Sequence, residues 1–292
     1  MVRKDLDDKQ SANEYDDRTT SAIKSVMLEI GQILGSYRGK FAVVGGAVPW
    51  LLLENEEMGH VGTADIDLGL DPAALGDGEY ADLVELLMEN GYFQRDGLRR
   101  FQLMRTIRPS DNGDPIDIVI DFLMPRNAEF VKNVPPLIEE FAVQKADGVE
   151  LALKFQQLTI VTGEMPNGGR NRVEIAVASI PALLAMKGHA IKNRHKQKDA
   201  YDIYYCVRNF DGGAQALAEA CRPLLSYKNG ELGFRYINEK FATAEEYGPA
   251  SVRSFVEESQ ILGDRTPEQW QQDAFGQVNA WLTALGFRRS RS

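Results

Sequence analysis

Apolar side chains recur every three or four positions near the start of the chain, over residues 21–34, and this spacing predicts an amphipathic helix. Short apolar runs follow, and they predict strands at 41–44, 63–70, 98–107 and 116–123. Helices are predicted between them, at 47–53 and 80–89. Two further strand candidates lie between residues 148 and 180, on either side of the loop 166–169.

The pattern changes near residue 180, after which only helices are predicted, at 182–192, 198–207, 214–225 and 268–285. We therefore expect an α+β fold in two domains. A mixed sheet with flanking helices, residues 21–180, precedes a helical C-terminal domain, residues 181–292. Residues 1–20 are polar and mixed in charge, and we expect them to be disordered or loosely attached.

Composition narrows the class of protein. Hydrophobic residues make up 43% of the 292 residues and charged residues 26%, as is typical of globular proteins. The net charge of −10 disfavours non-specific coating of a nucleic acid. Cys206 and Cys221 lack metal-ligand spacing, so we expect free thiols and no disulfides. No apolar run approaches the roughly 20 residues that cross a bilayer, and we expect a cytoplasmic protein without membrane contact.

Carboxylates stand in strand-like apolar sequence at two places. Asp65 and Asp67 are two residues apart and share a face of one predicted strand, and Asp117 and Asp121 share a face of a later one. A carboxylate is costly to bury among apolar side chains unless it is neutralised. Mg²⁺ prefers oxygen ligands and commonly binds substrate phosphates as well. The pattern predicts a site for two Mg²⁺ ions, with Mn²⁺ as an alternative, and phosphoryl or nucleotidyl transfer.

The third carboxylate of this site is either Asp121 or Asp117, because strand periodicity places both on one face. We favour Asp121, since the Phe-Leu-Met-Pro that follows it indicates a strand entering its terminal loop. Asp117 follows the flexible stretch 113–115 and remains the alternative, as an exposed strand start. The pair Asp65 and Asp67 has its own alternative, a solvated strand face near a sheet edge.

Gly45 and Gly46 join a predicted strand to the helix predicted to begin at Ala47. Glycines at such a junction let the backbone approach a phosphate, which free N–H groups at a helix start can bind. A glycine pair is more often a turn without a ligand, so it is weak evidence by itself.

Basic residues are concentrated in residues 187–198, which contain five Lys or Arg and two His. Lys187 stands among apolar residues at helical spacing, and a lysine in a cleft can bind a phosphate as a point charge. On this interpretation, replacing Lys187 with alanine lowers activity and leaves stability nearly unchanged. Asp199 and Asp202 follow on the next predicted helix, where they would orient Lys187 or Arg194. The alternative is a solvated basic loop between two helices.

Four short motifs, in this order, resemble the nucleotidyltransferase superfamily of DNA polymerase β, and more closely its AbiEii/AbiGii-type toxins from bacterial abortive-infection and toxin–antitoxin systems. The motifs are Gly45-Gly46-Ala47-Val48, Thr63-Ala64-Asp65-Ile66-Asp67-Leu68, Leu184-Ala185-Met186-Lys187-Gly188-His189-Ala190, and the stretch from Arg194 to Asp202. Their order and spacing over residues 40–207 carry the likeness. The superfamily often has Ser where this chain has Ala47, which leaves the nucleotide preference open.

The resemblance implies a polymerase β-like nucleotidyltransferase with an NTP donor and two Mg²⁺ ions. It assigns the metal and catalysis to Asp65, Asp67 and Asp121, and a catalytic pair in the second domain to Lys187 and Asp199. It assigns nucleotide binding to Gly45, Gly46, Ala47, Lys187 and Arg194. The implied acceptor is an RNA such as tRNA, or a protein, and a cognate antitoxin protein is an implied partner.

Other functions remain open. The fold can also serve as a non-catalytic module that binds a nucleotide or a partner, or as a small-molecule nucleotidyltransferase of the aminoglycoside type. An idle module has no reason to hold mutually repelling carboxylates together, which disfavours the first. A metal-dependent phosphohydrolase would need histidine ligands, and the chain has only His60, His189 and His195. We interpret His60 as a loop residue without a partner at ligand spacing.

Overall fold

The computed structural model describes residues 17–53, 58–76, 78–95, 97–99, 101–108, 113–128 and 143–288. They form two compact units. The first contains residues 17–47 and 62–178, and the second contains residues 48–61 and 179–288. The chain passes into the second unit at Ser179, and the described residues 48–53 and 58–61 belong with the same helical unit. Of the predicted N-terminal segment 1–20, residues 1–16 lie outside the described residues, and the rest begin the first helix.

The first unit is built from strands and a few helices. Its strands are β1 (Phe41–Val44), β2 (Asp65–Leu70), β3 (Gln102–Ile107), β4 (Ile116–Pro125), β5 (Gln144–Ala146), β6 (Gln156–Glu164) and β7 (Arg170–Ala178). The helices up to residue 154 are α1 (Asp17–Ile33), α2 (Ala47–Leu52), α3 (Glu79–Glu89) and α4 (Val149–Lys154). Helix α2 begins with the last residue of the first unit and continues in the second.

The strands form one mixed sheet in the order β3-β4-β2-β1-β7-β6, and β5 pairs with the end of β4. Strands β2 and β4 are parallel, as are β1 and β7, whereas β1–β2, β3–β4 and β6–β7 are antiparallel. This sheet and its helices confirm the predicted α+β class. The strand candidates near the loop 166–169 are β6 and β7, but residues 149–154 form α4 instead of a strand.

Alternation along β2 separates an apolar face of the sheet from a polar one. Ile66, Leu68 and Leu70 are fully buried. On this face the ring of Tyr80 from α3 packs edge-on against Phe122 of β4.

The opposite face carries the acidic residues. On this face α4 packs over the C-terminal half of β2. A Cβ on Gly69 of β2 would lie only 3.3 Å from the side chain of Val149 in α4. Asp65 and Asp67, in the N-terminal half of the strand, are half-buried.

The second unit consists of the segment 48–61 and helices α5 (Ile180–Asn193), α6 (Gln197–Asn209), α7 (Gly213–Cys221), α8 (Lys228–Lys240), α9 (Tyr247–Glu258) and α10 (Pro267–Leu285). Within the described part of this unit no strand occurs, as predicted, but α8 and α9 were not predicted. Helix α5 begins where the hydroxyl of Ser179 accepts a bond from the N–H of Ala182, and Pro181 fits its first turn.

One side-chain contact joins two parts of this unit. Tyr205 of α6 donates its hydroxyl to the carbonyl of Leu53 at 3.1 Å, which attaches the segment 48–61 to that helix. Cys206 and Cys221 are buried free thiols. None of the helices in the described ranges is both long enough and apolar enough to cross a membrane.

Candidate active site

Two carboxylates of the first unit occupy adjacent positions on neighbouring strands. Strands β2 and β4 run parallel, and their register pairs Asp67 with Asp121. Such partners project from the same face, and neighbouring strands lie about 4.8 Å apart. Gln102, opposite Asp121 on β3, donates from Nε2 to Oδ1 of Asp121 at 2.8 Å. The Asp67–Asp121 pair is therefore held by the sheet and oriented by a neighbouring amide.

Gly45 follows β1 directly and lies against Asp67. Its φ of 68° is in the left-handed region that favours glycine. A Cβ at this position would lie 1.8 Å from Oδ2 of Asp67 and 2.7 Å from its Cγ. Gly45 therefore meets a conformational requirement and makes room for the carboxylate. Gly46 is buried, and Ala47, the first residue of α2, is only 1% exposed.

Asp65 shares the face of Asp67 but has a different neighbour across the ladder. Its register partner on β4 is Val119, not an acid. Its Oδ1 accepts a hydrogen bond from the hydroxyl of Thr63 at 2.8 Å. Asp65 is therefore beside the Asp67–Asp121 pair along the strand, with its own polar contact.

Asp117, the alternative third carboxylate, is not the residue that lies beside Asp67. It pairs with Thr106 across the β3–β4 ladder and accepts a bond from that hydroxyl at 2.6 Å. Its other oxygen lies 3.2 Å from a guanidinium nitrogen of Arg95. Register thus favours Asp121, whereas Asp117 takes part in surface polar contacts.

The Asp67–Asp121 pair fits a magnesium ion. In the part of the chain that the structure describes, no three His, Cys, Asp or Glu side chains are gathered as a ready metal-binding set. Mg²⁺ does not require one, because it usually keeps several waters and binds through one or two carboxylates and substrate phosphates. The pair offers two adjacent, half-buried carboxylates. Gly45 leaves the space at Oδ2 of Asp67 that a Cβ would fill.

The second unit contains a buried ion cluster formed by Lys187, Arg194, Lys198, Asp199 and Asp202. Nζ of Lys187 on α5 lies 2.7 Å from Oδ1 of Asp199 and 2.7 Å from Oδ2 of Asp202, both on α6. Nζ of Lys198 lies 2.9 Å from Oδ1 of Asp202. Arg194 donates to Asp199 from Nε at 2.7 Å and from Nη2 at 3.1 Å.

The acids of the ion cluster are fully enclosed, whereas its cations range from the nearly enclosed Lys198, whose side chain is 4% exposed, to the half-exposed Arg194. The side chains of Asp199 and Asp202 are 0% exposed, whereas that of Lys187 is 10% exposed and that of Arg194 is 50% exposed. Each acid contacts two cations, and these contacts offset the cost of removing its charge from water. Three cations and two carboxylates leave the cluster with one net positive charge.

These contacts fix the protonation states. Burial alone would raise the pKa of Asp199, but Lys187 and Arg194 outweigh it and lower this pKa to about 2. Burial likewise opposes ionisation of Asp202, yet Lys187 and Lys198 hold its pKa well below the ordinary value. Burial would lower the pKa of Lys187, but the two acids raise it above the ordinary value. Lys187 is therefore a fixed cation at neutral pH.

His60 lies in a loop and contacts the ion cluster through Asp202, a partner 142 positions away that its sequence neighbourhood does not reveal. Its Nε2 lies 3.1 Å from Oδ1 of Asp202, and its side chain is 1% exposed. Burial lowers the pKa of His60 to about 4, because it outweighs the bond to Asp202. The imidazole is therefore neutral at neutral pH. Since an ionised carboxylate only accepts, Nε2 carries the proton and donates it to Asp202.

The basic segment 187–198 is not a uniform positive surface. Lys187 and Lys198 are buried against acids. Lys192 is exposed and pairs with Glu239 at 3.0 Å. In the turn between α5 and α6, Arg194 is exposed and Lys196 is half-buried. The predicted patch is therefore smaller than the count of basic residues suggests.

Comparison with known families decides the class of protein. A family model described as "Nucleotidyl transferase AbiEii toxin, Type IV TA system" matches residues 63–279, most of the chain. The chain belongs to the AbiEii family. The matched range contains the acidic positions of β2 and β4 and the whole ion cluster. Gly45 and His60 of this AbiEii chain precede it. No curated protein matches the chain.

Among solved structures, the AbiEii chain is similar to the crystal structure of JHP933 from Helicobacter pylori. The TM-score is 0.45 and the sequence identity is 10%, and the similarity covers 92% of this chain and 94% of that one. A likeness this distant carries no argument about function.

Sequence reasoning missed one residue beside the carboxylate pair of the first unit and one beside the ion cluster of the second unit. Gln102 stands on a correctly predicted strand, but its bond to Asp121 depends on a register that a single sequence does not reveal. His60 lies in a loop and reaches a helix 142 positions later. A lone histidine without nearby polar partners gave no signal of that contact.

Proposed function

We propose that this AbiEii-family chain is a metal-dependent nucleotidyltransferase that moves a nucleoside monophosphate from an NTP to an acceptor, as the toxin of a toxin–antitoxin system. The family match supports the general class. The observation that carries the finer proposal is the pairing of Asp67 with Asp121 against Gly45. Two adjacent carboxylates supply the oxygen ligands that Mg²⁺ prefers.

Asp67 and Asp121 are proposed to hold Mg²⁺, or Mn²⁺, with Asp65 as a further ligand. When bound, such ions neutralise phosphate charge and activate the attacking oxygen. In the transfer, an acceptor hydroxyl gives up its proton to water, its oxygen bonds to the α-phosphorus, and the bond from that phosphorus to pyrophosphate breaks. The chain contributes a fixed arrangement, since Gln102 orients Asp121 and the sheet sets its distance from Asp67.

Lys187 and Arg194 are proposed to bind phosphate. A lysine ammonium has three N–H donors, and the two acids of the cluster account for two of those of Lys187. The third N–H is available for a phosphate oxygen. The half-exposed guanidinium of Arg194 adds a second donor group.

Asp199 is proposed to position Lys187 and Arg194. This positioning role replaces the catalytic role predicted from the sequence. A general base works best with a pKa near the working pH, whereas the pKa of Asp199 is about 2. Its bonds to both cations instead fix where their N–H groups point.

An RNA such as tRNA, or a protein, is proposed as the acceptor, and a cognate antitoxin protein as the partner. The exposed turn between α5 and α6 offers local positive charge for an acceptor phosphate. The net charge of −10 limits binding of RNA to such local contacts.

The test is a transfer assay with each α-labelled NTP, Mg²⁺, and bulk tRNA or a cell lysate as acceptor. We compare the wild type with Asp67→Asn, Asp121→Asn and Asp117→Asn. The last variant is a matched control, because it makes the same change on the same face of β4 without touching the Asp67–Asp121 pair.

Label transfer by the wild type and by Asp117→Asn, abolished in the Asp67 and Asp121 variants, supports the proposal. NTP binding without transfer would indicate the non-catalytic module, and release of free phosphate would indicate a phosphohydrolase. Equal activity of Asp121→Asn and the wild type would remove Asp121 from the site.

A further inference from the structure

Asp202 is shared by three hydrogen-bond donors from three parts of the second unit. Lys187 comes from α5, Lys198 lies one turn before Asp202 on α6, and His60 comes from the segment 48–61. Asp202 is fully enclosed. The way its two oxygens are divided among these donors decides where the Lys187 ammonium is held.

The division is uneven. Oδ2 of Asp202 accepts from Lys187 at 2.7 Å, and Oδ1 accepts from His60 at 3.1 Å and from Lys198 at 2.9 Å. Nζ of Lys198 also lies 3.2 Å from Oδ2. Lys198 thus nearly bridges the carboxylate, and a small rotation of the Asp202 side chain would make its two distances equal.

We propose that His60 is a positioning residue for Lys187, because its Nε2–H donates to Oδ1 of Asp202 and keeps Oδ2 directed at the Lys187 ammonium. Without this donor, Oδ1 keeps the bond to Lys198, and rotation toward Lys198 weakens the short contact with Lys187. An under-satisfied buried carboxylate gains by such a rearrangement. The inference rests on the proposed phosphate-binding role of Lys187.

A purely structural role for His60 makes a different prediction. The segment 48–61 has a second attachment to α6, the bond from Tyr205 to the carbonyl of Leu53. The rings of His60 and Tyr205 are also in edge-to-face contact, with centroids 4.8 Å apart. If His60 only attaches the segment, loss of the Tyr205 bond should have a similar effect on activity.

The experiment compares His60→Ala, His60→Gln and Tyr205→Phe with the full-length wild type, using α-labelled NTP, Mg²⁺ and bulk tRNA below all unfolding midpoints. Glutamine keeps an N–H donor at a comparable distance from the backbone. Tyr205→Phe keeps the ring and removes only the hydroxyl. We expect His60→Ala to lower kcat/KM for NTP about tenfold, the usual scale of one hydrogen bond to a charged group. The KM for tRNA should stay unchanged.

His60→Gln should recover most of the loss. Tyr205→Phe should stay within about twofold of the wild type below its unfolding midpoint, because the buried bond that it removes goes to the Leu53 carbonyl and not to Asp202 or Lys187. Equal activity of His60→Ala and the wild type would overturn this inference alone. So would equal losses in all three variants, or a parallel rise in the KM for tRNA. A wild type that transfers no label would overturn the proposed function and this inference with it.

Discussion

Replacing Gly45 with alanine tests the geometry on which the carboxylate site depends. The new Cβ would lie 1.8 Å from Oδ2 of Asp67, far inside contact distance, so the Asp67 side chain or the backbone after β1 must move. The φ of 68° adds a second cost, because alanine disfavours the left-handed region.

A matched glycine separates the two costs. Gly39 precedes β1 with a φ of 81°, and a Cβ there would meet nothing within 4 Å. Gly39→Ala should therefore cost only the backbone term, about 1–2 kcal/mol. Gly45→Ala should cost that amount and an overpacking term of about 1–3 kcal/mol.

The assay is urea denaturation of both variants, with the free energy of unfolding compared at equal m-values. Asp67→Ala serves as a second background, because it removes the carboxylate that the new Cβ would meet. In that background the excess cost of Gly45→Ala over Gly39→Ala should shrink, because only the 3.1 Å contact with the Cβ of residue 67 remains. Such non-additivity is expected of groups in contact. We also expect transfer activity to be lost in Gly45→Ala and kept in Gly39→Ala.

Equal costs for Gly45→Ala and Gly39→Ala, unchanged when Asp67 is absent, would refute this reasoning. That result would mean that a Cβ at position 45 does not clash with the Asp67 carboxylate. The Asp67–Asp121 pair would then lack the support that the structure assigns to it.

Three further predictions concern the second unit. Gly188→Ala should destabilise strongly in urea, by about 1–3 kcal/mol or more, because its Cβ would lie 2.0 Å from the carbonyl oxygen of Gly233. Gly276→Ala, with open space in α10, should instead stabilise by up to about 1 kcal/mol. Lys187→Met should lower stability in thermal melts by about 3–5 kcal/mol, since it leaves two buried acids under-compensated. The pKa of His60 is about 4, below its ordinary 6.5, so the unfolded chain binds the proton more tightly. The free energy of unfolding should therefore fall as pH drops from 6.5 to 4, by up to about 3 kcal/mol. Urea unfolding of His60→Gln over the same pH range should lack this loss. An equal loss in His60→Gln would contradict the assignment of the pH dependence to His60.

Secondary structure was predicted best where the apolar pattern is long and regular, as in α1, β4 and α10. Helix α8 was not predicted, and it contains two glycines, Gly230 and Gly233. In the folded unit those glycines let backbones approach closely, since a Cβ on Gly230 would lie 2.1 Å from the carbonyl oxygen of Leu224. The tertiary contact overrides the poor helix propensity of glycine. Helix α4 is too short for periodicity to distinguish from a strand.

The sequence was sufficient to pick out the candidate carboxylates, but it was only partly sufficient to predict which of them lie side by side. Alternation along one strand places Asp65 and Asp67 on a common face, and the structure agrees. The choice between Asp117 and Asp121 depends on the register of β4 against β2, which long-range packing sets. A single sequence contains the period of each strand but not the offset between two strands.

The ion cluster shows a different limit, because a count of charges does not reveal which of them are compensated. From sequence, Lys187 was expected to be replaceable without loss of stability, and its contacts with two fully buried acids reverse that expectation. Activity measured on a Lys187 variant alone would therefore mix folding with catalysis. Arg194 separates the two roles better, since its guanidinium is half exposed and the same acid retains Lys187 as a partner. A phosphate-binding role in this cluster is best judged first at Arg194.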